Sequence, residues 1–105
     1  MKNLTPFKAL SAQMLPRLAQ YVPVVDRVHG AHHPEFHDVR KVFESLQFKV
    51  KGSSTLPNLS EEFNQLQAIT GNYVVPGDVC ETYEAVYTML KALDHAYTEE
   101  TQSAS

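Results

Sequence analysis

The sequence predicts an all-α fold, a small bundle of three or four helices, and two observations carry that prediction. Apolar residues recur at three- and four-residue steps through most of the 105 residues, which is the stripe of an amphipathic helix. No segment alternates apolar and polar residues over strand length, and Tyr73-Val74-Val75 is too short to seed a sheet. Hydrophobic residues make up 43% of the chain and charged residues 20%, enough apolar material for one closed core in one domain spanning 1–105.

The first stripe runs through Phe7, Leu10, Met14, Leu18, Tyr21 or Val22, and Val25. Thr5 can cap this helix, because a threonine oxygen can accept an otherwise unpaired first-turn N–H, and Pro6 then stands where a missing N–H costs nothing. Pro16 and Pro23 fall inside the pattern, so the segment is expected to be one kinked helix or two in series, ending at His29-Gly30. A second helix opens at His33-Pro34-Glu35, buries Phe36, Val39, Phe43, Leu46 and Val50, and stops at Gly52-Ser53-Ser54.

Asn58 and Glu61 have capping-box spacing ahead of a short stripe of Leu59, Phe63, Leu66 and Ile69, which Gly71-Asn72 ends. Asp78 and Glu81 repeat that spacing before the longest run, Val79, Tyr83, Val86, Leu90, Leu93 and Tyr97. The tail 101–105 has nothing to bury and is expected to be disordered.

Charge and composition narrow the function classes. A formal net charge of −3 gives no electrostatic drive toward nucleic acid or anionic lipid. The single cysteine, Cys80, cannot close an internal disulfide, and no apolar run reaches the length of a signal peptide or a membrane span, so a cytoplasmic protein is expected. No Gly-rich phosphate loop, nucleophile elbow or evident acid–base carboxylate pair stands in the sequence, and no enzymatic activity is expected.

Four of the five histidines, His29, His32, His33 and His37, crowd into nine residues. Neutral imidazole is the commonest protein metal ligand, and His33 with His37 has one-turn spacing, so iron or zinc is a candidate occupant of this run. On an ideal helix, however, His37 projects roughly 120° from Phe43 at the centre of its apolar stripe, toward solvent. His29 falls close to the first stripe and is expected to pack and hydrogen-bond across the corner, with His32, His33 and His37 decorating a turn.

His95 and Glu99 form a second candidate ligand pair, but relative to Leu90 they stand about 140° and 180° around their helix, away from the core. Cys80 has no histidine or lysine placed beside it by sequence and is expected to be a small buried filler; a reactive thiol at the helix start is the alternative. Tyr83, Tyr87, Tyr97 and Met89 at helical spacing are expected to be packing residues.

Two stretches carry a family resemblance. Leu15-Pro16-Arg17-Leu18-Ala19-Gln20-Tyr21-Val22, Val25, Val28-His29-Gly30, His33-Pro34-Glu35-Phe36 and Val42-Phe43 form the first. Ile69-Thr70, Tyr73, Pro76, Asp78, Cys80, Thr82-Tyr83, Tyr87 and Leu90-Lys91 form the second. Over about half to two-thirds of the chain they resemble the hemerythrin-like domain of iron–sulfur cluster repair di-iron proteins. The resemblance implies a four-helix bundle and, in intact members, a non-haem di-iron centre used in repairing clusters after oxidative or nitrosative stress.

This sequence departs from the family at the ligands. Phe7-Lys8-Ala9 stands where a first-helix histidine belongs, Phe48-Lys49-Val50-Lys51-Gly52 where a His-x-x-x-Glu pair belongs, and Thr55-Leu56 where a Glu-His pair belongs. His95 with Glu99 could supply the last pair only across a deletion, and His29 matches a family turn residue rather than an iron ligand. The expectation is a shortened, hemerythrin-like binding, regulatory or structural protein without the di-iron site and without a cofactor. The alternative is an iron- or zinc-binding protein using the His29–His37 run, shared across a homodimer. Helix ends with apolar flanks, such as Phe48, favour a protein partner or self-association.

Overall fold

The computed structural model describes residues 5–103. They form four helices: α1, Pro6–His29; α2, Glu35–Lys51; α3, Ser60–Thr70; and α4, Glu81–Ser103. None of them is long and apolar enough to cross a membrane. The start of α1 meets the end of α4, where the Phe7 amide donates to Glu100 Oε1 at 3.0 Å, and the end of α1 meets the start of α4 at His29 and Cys80. Lys8 Nζ donates to the Ser53 carbonyl at 2.7 Å, just beyond the end of α2. Each helix therefore runs antiparallel to its neighbours, α1 packing chiefly on α4 and α2 on α3, in a body of 44 × 24 × 20 Å.

Thr5 caps α1 as its chemistry predicts, its hydroxyl accepting from the Lys8 amide. Pro16 and Pro23 do not split the helix. Proline removes one donor each time, from the Ala12 and Ala19 carbonyls, and Pro16 lies on the exposed side, where water can take its place.

The buried strip of α1 is Phe7, Ser11, Leu15, Leu18, Val22 and Val25, so Leu10, Met14 and Tyr21 are flank rather than centre. Helix α1 packs on both α4 and α2. Helix α2 buries the five residues its periodicity selects.

Both expected capping boxes fail to form. Helix α3 begins at Ser60 with Leu59 at its cap; Asn58 instead accepts the Ser60 amide in a local turn, and the Leu59 amide donates to the Tyr97 hydroxyl at 2.8 Å. Helix α4 begins at Glu81, leaving the Asp78 carboxylate to a side-chain partner on the other side of the corner. Gly71 ends α3 in the left-handed region (φ +63°), as expected, and Asn72 (+64°) and Tyr73 (+66°) follow it there. Helix α4 continues through Ser103, with Thr101 Oγ1 donating to the Tyr97 carbonyl at 2.9 Å; Ala104 and Ser105 lie outside the described residues.

The core is continuous across all four helices, with Phe7, Leu18, Phe36, Phe43, Leu46, Leu66, Tyr83, Tyr87, Leu90 and Leu93 among its largest members. Four polar side chains enter it, Ser11, Glu62, Thr70 and Asp94. Glu62 holds Lys49 Nζ at 2.8 Å and accepts from Ser45 Oγ at 3.0 Å. Burial alone would raise its pKa, but the bonds from Lys49 and Ser45 prevail and hold it below the usual value.

Candidate functional site

The histidine-rich turn between α1 and α2 meets the start of α4 at one end of the bundle. Its tightness has a backbone cause. Gly30 is buried, and a Cβ there would run into the Asp26 carbonyl and the His37 ring, so only glycine lets the two helices approach this closely. Asp26 then anchors the corner from α1, pairing with the His37 imidazole and, at 3.1 Å, with Arg40 Nη1 on α2.

His33 is the histidine drawn inward, not His29 alone. Its side chain is 14% exposed, and both ring nitrogens face carboxylates: Nδ1 lies 3.0 Å from Glu35 Oε2 and Nε2 3.0 Å from Asp78 Oδ1. Carboxylates only accept, so this geometry suits the doubly protonated ring. Burial works against that charge, but the hydrogen bonds and charges of Glu35 and Asp78 prevail and raise the His33 pKa above its ordinary 6.5. The bridge ties the loop before α4 to the first turn of α2.

His29, half-buried at the end of α1, places Nε2 3.2 Å from Cys80 Sγ. Cys80 is exposed, not a buried filler. The expectation failed because the partner imidazole lies 51 residues away in sequence and reaches the thiol only through the antiparallel pairing of α1 with α4. The Tyr83 ring meets the rings of His29 and His33 edge-on, at 5.4 and 5.5 Å between centroids, and leans on Phe36 at 5.1 Å. Behind it the Tyr83 and Tyr87 hydroxyls, both buried, face each other at 3.1 Å. Burial, followed by the neighbouring Tyr87 hydroxyl, pushes the Tyr83 phenol far above its usual pKa.

The four clustered histidines therefore do not converge on one point. His29 engages Cys80, His33 bridges two carboxylates, His37 pairs with Asp26, and His32 is exposed. Among the described residues no group of three or more His, Cys, Asp or Glu side chains is gathered to hold a metal ion. His95 and Glu99 stand on the exposed face of α4, more than about 20 Å along its axis from Cys80 at 1.5 Å per residue, as their helical phase requires.

Sequence reasoning missed Asp26, Asp78 and Glu35 as partners of the turn. A usable signal was present in an acidic residue four positions before a buried Gly30 and another directly after His33-Pro34. What the corner offers chemically is an exposed thiol beside an imidazole, and an imidazolium held between two carboxylates.

Searches against family models, curated proteins and solved structures find no match to this chain, so the hemerythrin-like resemblance rests on the motifs quoted above.

Proposed function

We propose that this chain is a hemerythrin-like helical scaffold that works by holding a partner, with side-chain packing in place of a di-iron centre and without catalysis of its own. The observation that carries the reading is the filled interior. Tyr83 and Tyr87 lie among Phe36, Leu90 and Leu93 in the core, and their hydroxyls face each other. Interior polar groups of a metal-holding bundle must instead aim ligands at a shared point.

The setting we infer is the cytoplasmic response to oxidative or nitrosative damage that the resemblance implies. The partner is a protein or a second copy, contacted through the 80%-exposed Phe48 near the end of α2. Elemental analysis of protein expressed with supplementary iron and zinc, read with the absorption spectrum, tests the scaffold reading. Substoichiometric metal, no visible band and a melting temperature unmoved by iron are expected. Stoichiometric iron with an oxo-bridge band refutes the reading.

One observation favours a second reading, a thiol-dependent activity at Cys80. His29 Nε2 lies 3.2 Å from Cys80 Sγ, which sets a base beside an exposed thiol, the pairing that cysteine nucleophiles use. Rapid alkylation by iodoacetamide near neutral pH, slowed in His29→Ala, is the expected signature. Labelling no faster than that of free cysteine excludes it.

A further inference from the structure

We propose that a second site, at the opposite end of α4 from the thiol, binds a small zwitterion of the amino-acid type. A cleft of about 380 Å³ opens between the end of α3, the loop after it and the outer face of α4, within the size range of small-molecule sites. Asp94 lies against it, 5% exposed. Its carboxylate accepts from the Tyr73 hydroxyl at 2.7 Å, Gln67 Nε2 at 2.8 Å and Thr98 Oγ1 at 3.2 Å. All three donors are neutral, so a buried negative charge stands with no cation against it. A carboxylate has about four acceptor positions, and here the one left over is on Oδ1.

The rim supplies both signs of charge. Lys91, His95 and Glu99 line the cleft at successive turns of α4, and their side chains make no hydrogen bond or ion pair to another described residue. Three unpaired ionisable groups around an uncompensated buried carboxylate call for a ligand that is cationic at one end and anionic at the other. Its ammonium group would face Asp94 and Glu99, and its carboxylate Lys91 and His95. A simple anion would meet repulsion from Asp94, and a simple cation would leave Lys91 without a partner.

The loop after α3 shapes the same cleft. Tyr73 sits at φ +66°, a conformation that bulky side chains rarely adopt and that persists where surrounding contacts enforce it, often at ligand sites. Here the enforcing contacts are the Tyr73 hydroxyl on Asp94 and the Tyr73 amide on Thr70 Oγ1 at 2.8 Å. The strain thus holds the donor that orients the cleft's carboxylate.

This inference goes beyond the scaffold reading and rests on it only in taking the protein to hold a ligand without transforming it. The metal analysis can fail while the following titration succeeds, or the reverse. Amide chemical shifts of the full chain are followed while glycine, L-alanine, L-glutamine, acetate and methylammonium are added in turn. Saturable shifts confined to Asn72, Tyr73 and residues 91–102, produced by at least one amino acid, are expected. Lys91→Met and Glu99→Gln, both exposed and compatible with folding, should each weaken that binding about tenfold, the equivalent of one charge-assisted contact. No saturable shift with any of the three amino acids, shifts centred elsewhere, or acetate binding as tightly as the amino acid would overturn the proposal.

Discussion

Tyr83 and Tyr87 provide a decisive test of how the interior is closed. Their hydroxyls lie 3.1 Å apart in the core, and the two side chains are 0% and 2% exposed. Replacing one tyrosine by phenylalanine removes little volume but strands the other hydroxyl away from water. The penalty for a buried polar group without a partner is about 1–3 kcal/mol, so Tyr83→Phe and Tyr87→Phe should each destabilise the fold by about 1.5 kcal/mol. Removing both hydroxyls leaves nothing unsatisfied and makes the core more apolar, so the double variant should lie within about 0.5 kcal/mol of the parent. The coupling is then on the order of −3 kcal/mol, large for residues one helical turn apart. Urea unfolding of the four proteins, followed by helical circular dichroism, measures it, and unchanged m-values would show that the unfolded states remain comparable. Additive losses in the double variant would mean that each hydroxyl has its own partner, and would refute the picture of an interior sealed by this pair.

Other predictions concern the corner and the surface. Folding raises the His33 pKa above 6.5, so its contribution is fully present below about pH 6.5 and is lost as pH rises through the raised value. The melting temperature should therefore fall over that window, and His33→Gln should flatten the profile; a wild-type slope in the variant would exclude His33 as its source. Gly30→Ala should cost about 1–3 kcal/mol by forcing a Cβ against the Asp26 carbonyl and the His37 ring, and a neutral result in thermal melts would mean the corner is looser than described. Phe48→Ser should leave stability within about 0.5 kcal/mol of the parent, because the ring is 80% exposed. Sedimentation of the same variant should show loss of any self-association, and an undiminished dimer would place that contact elsewhere.

Much of the architecture was legible in the sequence because it depends on local chemistry. The all-helical class, the Thr5 cap, the Gly71 stop and the complete buried face of α2 all follow from periodicity and backbone preference, whereas the choice between three and four helices was left to the structure, in which Pro16 and Pro23 leave α1 whole. The outward phase of His37, His95 and Glu99 followed from counting turns. Which face of α1 lies deepest did not: Ser11 and Leu15 are buried in place of Leu10 and Met14, on a helix that packs against both α4 and α2.

The sites came from long-range packing, because their partners are far apart along the chain and local rules compete for the same groups. Asp78 has the spacing of a helix cap, yet its carboxylate turns to His33, 45 residues away. Asn58 likewise leaves its expected cap, and the Leu59 amide finds the Tyr97 hydroxyl instead. Cys80 meets His29, and Asp94 gathers Tyr73 and Gln67, through antiparallel packing that periodicity does not encode. Apolar periodicity marked the broad side of each helix that must be buried, through the free energy of removing apolar groups from water. Which polar groups then met was left to the packing, because a hydrogen bond depends on three-dimensional approach to within about 3 Å.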